Sequence, residues 1–122
     1  MPEEPDQLVL RDGDVALVAV AGDADGADEA SFVVRWQGEQ VGRVELLDDG
    51  LGDGDLLWTV VPEYRAVGIV ERALRLVIGW GFESRGLHRI EARVEDADRD
   101  GLRAALRAGL LKEGVARGAL AA

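Results

Sequence analysis

The sequence predicts an α/β domain built on a mixed sheet. Three observations carry that reading. Within one stretch, Leu56 to Phe82 (LLWTVVPEYRAVGIVERALRLVIGWGF), the hydrophobic period switches from strand-like to helical. At His88 to Glu95 (HRIEARVE) a clean alternation returns, with Ile90, Ala92 and Val94 on one face and Arg89, Glu91, Arg93 and Glu95 on the other. Ahead of both lie several short β-branched runs separated by Asp/Gly turn signals. Strands, a helix, a strand and a second helix in that order make a mixed sheet with a helical crossover.

In chain order, residues 1–7 are acidic and carry proline, a loose lead-in. Leu8–Arg11 reads as a short strand, followed by an Asp12-Gly13 turn signal. Val15–Val20 is a second strand. Ala21–Ala30 (AGDADGADEA) has no large apolar residue to bury and reads as a loop or a stub of helix. Phe32–Trp36 and Val41–Leu47 form two strands around a Gly38-Glu39 hairpin. Asp48–Asp55 (DDGLGDGD) is an acidic, glycine-rich turn; it lacks the bidentate Glu and the spacing of an EF-hand calcium loop.

Leu56–Val61 is apolar enough for a strand buried on both faces, ended by Pro62, which has no N–H to donate. From Ile69 the residues Val70, Ala73, Leu74, Val77, Ile78 and Phe82 share one helical face, with Glu71, Arg72, Arg75 and Glu83 mostly on the other. Glu71 and Arg75 stand i,i+4 in the favourable order. Gly79 and Gly81 each cost that helix about 1 kcal/mol against Ala; they either permit a close backbone approach or only weaken the last turns. Gly86 suits the C′ position after it. Asp96 or Asp98 caps a second helix over Leu102, Ala105 and Leu106, closed by Gly109. Val115–Leu120 is a last short strand.

A length of 122 residues fits one domain, residues 1–122, and 48% apolar residues suffice for a core. The N-terminus is acidic where a secretory signal would be basic, and no apolar run has the length of a membrane span. Cysteine is absent, so thiolate metal sites and thiol nucleophiles are excluded, and a cytoplasmic location is expected. The net charge of −10 argues against nucleic acid or an anionic membrane as main partner. It favours a cationic substrate or a basic protein surface, unless it serves solubility alone.

Between strand and helix sits Arg65-Ala66-Val67-Gly68. A loop opening a helix there aims free N–H groups and the positive dipole end at anything anionic. His88, the single histidine, has no companion ligands for a metal and reads as structural, with general-base work through a water the other reading. Glu91 and Glu45 are the next base candidates, each also readable as a paired strand residue. Trp36, Trp58 and Trp80 read as packing, and the Arg89–Glu95 alternation as cross-strand pairing.

Residues Trp58 to Gly118 resemble the GNAT superfamily of acyl-CoA-dependent N-acetyltransferases, in the branch that acetylates ribosomal-protein N-termini. The resemblance is carried by Pro62-Glu63-Tyr64-Arg65-x-x-Gly68 and Glu71-Arg72-Ala73-Leu74, and then by Trp80-Gly81-Phe82-Glu83. It continues in Gly86-Leu87-His88-Arg89-Ile90-Glu91-Ala92-Arg93-Val94, Ala108-Gly109-Leu110 and Glu113-Gly114. It implies direct attack of a substrate amine on the thioester of acetyl-CoA. It also implies a splayed, bulged strand whose backbone N–H, near Val60 or Val61, polarises the thioester carbonyl. The loop Arg65, Ala66, Val67, Gly68, Ile69 and Val70 would hold the pyrophosphate on backbone N–H groups.

This chain departs from the family pattern in that loop. Ala66 stands where glycine is usual, Val70 crowds the closest approach of the helix, and Val67 replaces a residue that is often basic. Asp98 puts a negative charge near an anionic cofactor. The tyrosine that often serves as general acid would fall at Ala105. The two helices that normally follow the first strand are replaced by the few residues of 21–30, so the fold lacks most of both. The flank they leave would be covered by a homodimer partner. Two functions follow: an acetyl-CoA-dependent N-acetyltransferase acting on a protein N-terminus or small amine, and a non-catalytic GNAT-fold binding or dimerisation protein with weak or no CoA binding.

Overall fold

The computed structural model describes residues 8–20, 29–64, 68–94, 98–112 and 119–121, with backbone alone for 111–112 and 119–121. Five strands run first: β1 (Val9–Asp12), β2 (Val15–Ala19), β3 (Glu29–Trp36), β4 (Glu39–Asp48) and β5 (Asp53–Val60). A 3₁₀ turn, Pro62–Tyr64, leads towards helix α1 (Ile69–Ser84). Then come β6 (Arg89–Arg93), α2 (Arg99–Arg107), β7 (Leu111–Lys112) and β8 (Ala119–Ala121). The sheet order is β1-β2-β3-β4-β5-β6-β8-β7. Among the described residues only β5 and β6 are parallel, with α1 as their crossover, and every other pair is antiparallel. This is the mixed sheet read from the sequence. Residues 20–28 join β2 to β3, and 21–28, where the sequence reads a loop or a stub of helix, lie outside the described residues. Of the expected last strand, Val115–Gly118 lie outside the described residues, and the strand that is present is β8.

One cluster forms the core. Val15 and Leu17 of β2, Phe32 and Val34 of β3, Val44 and Leu46 of β4 and Leu56 of β5 meet Ile69, Ala73, Leu74 and Val77 of α1. The helical face predicted for α1 is the one buried, apart from Phe82, which is half-buried. The expectation that Leu56–Val61 is buried on both faces fails. Leu56 and Val60 are buried, whereas Leu57 and Thr59 are exposed, because the helices pack on one face of this strand and leave the other to solvent. The strand also begins three residues earlier than read.

Turns fall where the backbone demands them. The β3–β4 hairpin turns on Gln37 (φ 51°) and Gly38 (φ 80°), both left-handed as a two-residue type I′ turn requires, one residue before the predicted pair. In the acidic turn, Asp48 accepts from the Gly50 N–H (2.8 Å) and Asp49 from those of Leu51 (2.7 Å) and Asp53 (3.1 Å). These carboxylates build the turn. Among the described residues no group of three or more His, Asp or Glu is placed to hold a metal. Helix α1 ends at Arg85 with Gly86 at φ 68°, the predicted C′ glycine.

Arg72, placed by periodicity on the polar face, ties α1 to the β1–β2 turn. It donates to the Asp12 carboxylate (3.3 Å), the Asp12 carbonyl and the Asp14 carboxylate (2.9 Å). Asp14 also accepts from the Trp36 indole (3.0 Å). The hydrogen bond from Arg72, and then that from Trp36, hold the Asp14 carboxyl below the usual carboxylate range. Trp36 in turn meets Tyr64 edge to face at 5.6 Å. The end of β5 and the start of α1 are thus fixed to the same hairpins.

Candidate functional site

The parallel pair of strands comes apart. Register between β5 and β6 runs Asp53↔Arg89, Gly54↔Ile90, Asp55↔Glu91 and then stops. Beyond Asp55, β5 stays with β4 as far as Gly42↔Val60. On its other side β6 is held by β8, from Glu91↔Ala121 to Arg93↔Ala119. Each strand keeps its outer ladder, so a gap opens between them. A cavity of about 390 Å³ fills it, with Leu56, Leu57 and Trp58 on one wall and Ala92, Arg93 and Val94 on the other.

The ladder decides which amides face that gap. The Val61 N–H donates to the Val41 carbonyl (2.9 Å), and the Asp53 carbonyl accepts from Asp49 (3.0 Å). Backbone groups alternate sides along a strand, so odd-numbered residues of β5 address β4. Trp58 and Val60 therefore address the gap. Of the two predicted amides, Val60 has the right orientation and Val61 does not: its N–H belongs to the β4 ladder. Trp58, read only as packing, carries the second gap-side amide and lines the cavity; the period-2 register was the signal that could have found it. The expected bulge is elsewhere too. The β4–β5 register is continuous, and the irregularity lies between β3 and β4, where Val41 is the extra residue.

From the gap, space continues to the start of α1. A second cavity of about 110 Å³ lies among Trp58, Val60, Val70 and Gly101. A third of about 80 Å³ lies among Gly68, Val70, Arg103 and Arg107. Trp58 and Asp98 are common to the first two cavities, Val70 and Asp100 to the last two. Gly68 takes φ 81°, which favours glycine, and opens α1 without a side-chain cap. Arg65, Ala66 and Val67 lie outside the described residues. The Ile69 and Val70 side chains turn into the core, at 1% and 5% exposure, so at this helix start they offer backbone amides. Sequence reading missed Arg103 and Arg107, spaced i,i+4 on α2; Arg107 also approaches Glu71 at 3.9 Å.

Asp98 is the N-cap of α2, its carboxylate accepting from the Gly101 N–H at 3.0 Å, and it borders the two larger cavities. Asp96, the other cap candidate, lies outside the described residues. Ala105 is fully buried, so its position fills core. Glu45 accepts from Ser31 (3.4 Å) and faces Arg43 (3.8 Å), while Glu91 faces Arg89 (3.7 Å). Both have the structural role, and these ion pairs run along one strand rather than across. His88 is exposed and packs on the Gly52 turn, where its N–H meets the Gly52 carbonyl at 2.7 Å. Trp80 packs edge-on against Phe32 at 5.2 Å, as read.

An acetyltransferase (GNAT) domain model matches residues 11–111. The chain belongs to the GNAT acetyltransferase family. No curated protein matches it. Among solved structures it resembles RimJ of Mycobacterium smegmatis in complex with CoA-disulfide, with TM-score 0.69 and 22% identity over 78% of this chain and 53% of that one. It also resembles ribosomal-protein-S5-alanine acetyltransferase of Vibrio fischeri, with TM-score 0.69 and 22% identity over 78% and 61%. A GNAT-family acetyltransferase of Bacillus anthracis gives TM-score 0.66 and 21% identity over 80% and 66%. These likenesses establish the fold, and this GNAT chain spans between half and two thirds of the length of those structures.

Proposed function

We propose that the chain transfers an acetyl group from acetyl-CoA to an amine. The parting of β5 from β6, beside cavities that lead to the start of α1, is the observation that carries the reading. The gap-side amide of Trp58 would polarise the thioester carbonyl. The opening of α1, with residues 65–70, would take the pyrophosphate on its N–H groups, and Arg103 and Arg107 supply positive charge beside it. The amine nitrogen bonds to the acetyl carbon, the carbon–sulfur bond breaks, and the thiol departs. Backbone performs the essential work, so no nucleophilic side chain is needed. The reading sets the protein in the cytoplasm, where acetyl-CoA is used, and as a homodimer.

A second reading is a GNAT-fold binding or dimerisation module without turnover. Two observations favour it: the Val61 amide is taken by Val41, and the Asp98 carboxylate stands at the gap. Thermal unfolding with acetyl-CoA separates the two. Saturation at a hundred times the dissociation constant adds about 2.7 kcal/mol, roughly 10 °C for a domain of this size. No shift at millimolar acetyl-CoA defeats the transferase reading. The module reading then requires a stable dimer on size exclusion.

A further inference from the structure

We infer that the acceptor is a free α-amino acid, its ammonium group held by Asp55 and its carboxylate by Arg93. The inference rests on the acetyl-transfer reading above and names the substrate class for the same gap. Both residues line the cavity in the gap, one on each of the strands that part. Asp55 alternates with buried Leu56, and Arg93 with buried Ala92, so both side chains leave the sheet on the face away from the core. Both are exposed. Their neighbours are matched: Glu91 has Arg89 at 3.7 Å and Glu45 has Arg43 at 3.8 Å. Among the described residues neither Asp55 nor Arg93 has a side-chain hydrogen bond or ion pair. The other carboxylate at the cavity, Asp98, caps α2.

The pairing of one negative and one positive side chain selects the ligand, and the spacing admits it. Asp55 is level with Glu91, and Arg93 lies two residues beyond it. That is about 6.6 Å along β6 and about 4.8 Å across, so roughly 8 Å between the two Cα atoms before the strands part. In an α-amino acid the nitrogen and the carboxylate oxygens are about 3 Å apart. With a charge-assisted bond of about 2.8 Å at each end, the carboxylate and guanidinium heads would stand roughly 8–9 Å apart, which an Asp and an Arg rooted roughly 8 Å apart can reach when the longer arginine leans away. A polyamine would instead bring like charge to Arg93, and a simple amine would leave that guanidinium unmatched in an acid-rich surface. Acetylation removes the ammonium charge that Asp55 holds, which favours product release. The ammonium loses one proton to water at the open mouth before it can attack, the bonded nitrogen loses a second afterwards, and the departing thiolate takes one back from water, so one proton is released overall.

The test uses the full chain, acetyl-CoA and colorimetric thiol release, with the twenty L-amino acids, their α-amides and spermidine as acceptors. At least one free amino acid should turn over, its α-amide at least tenfold worse in kcat/KM. Arg93→Ala should remove that difference, and Asp55→Asn should raise KM for acid and amide alike, both with unchanged melting temperature. Spermidine as the better acceptor, or amides as good as acids, overturns the inference. So does a protein that shifts with acetyl-CoA yet accepts no amino acid; acetyl transfer itself then survives. If acetyl-CoA does not bind, titration of the amino acids against the Arg93 Nε–H NMR signal decides. Movement of that signal keeps the amino-acid site without transfer, and no movement ends it.

Discussion

Gly79 and Gly81 sit two residues apart in α1 and have identical local propensity, yet the structure assigns opposite outcomes to changing them. A Cβ at Gly79 meets nothing within 4 Å. Gly79→Ala therefore gains most of the helix-propensity difference, about 1 kcal/mol. A Cβ at Gly81 would lie 2.9 Å from Ile90 Cδ1 and 3.0 Å from Leu46 Cδ2. Ordinary carbon contacts are about 3.5–4.0 Å, so two buried side chains must each give by roughly half an ångström or more. Overpacking of this kind typically costs about 1–3 kcal/mol. That cancels or exceeds the gain, and Gly81→Ala should be between neutral and about 2 kcal/mol destabilising. Urea unfolding with a common m-value reads the pair directly, and melting temperatures should differ by roughly 5–10 °C. Equal stabilisation by both variants would refute the close approach of α1 to β4 and β6.

Two more outcomes follow from single side chains. Arg72→Ala should lower stability at pH 7, and its deficit against the wild type should shrink as pH falls below about 4. A carboxyl whose folded pKa is depressed contributes stability above its unfolded pKa and loses it as pH falls through the folded value; Asp14 is such a group, held down first by Arg72. Urea midpoints at pH 7 and pH 2.5 check the sign, and a deficit that grows in acid contradicts it. Asp98→Asn keeps an oxygen for the Gly101 N–H and removes the charge, so it should tighten acetyl-CoA binding at unchanged stability. Asp98→Ala loses the cap at about 1 kcal/mol. Calorimetric titration of both decides, and weaker binding in Asp98→Asn contradicts the repulsion.

What the sequence displayed most clearly was local. The bounds of α1, its buried face and the Gly86 terminator all follow from periodicity and capping chemistry within a few residues, and the cap of α2 is narrowed to Asp96 or Asp98. Functions of register did not show. Whether Val60 or Val61 faces the gap depends on which side of β5 its partner ladder lies, and that is set by pairing with β4 far away in sequence. The Arg72 contacts to Asp12 and Asp14 span some sixty residues and leave no local mark. Leu57 looked like core because composition records apolarity and not which face a helix covers.

The gap itself is a contest between two ladders. On one side Gly42 lies against Val60 so closely that a Cβ there would stand 2.5 Å from the Thr59 carbonyl oxygen. With the Val61–Val41 hydrogen bond this holds the end of β5 hard against β4. On the other side β8 claims β6 over the same stretch where β5 lets it go. Neither α1 nor any catalytic side chain is required to make the opening. The opening therefore does not depend on the connection between β2 and β3, because it is made by β4, β5, β6 and β8. On the acetyl-transfer reading, recognition of the acceptor falls to side chains on the exposed face of the sheet. Asp55 and Arg93 are where that face meets the gap.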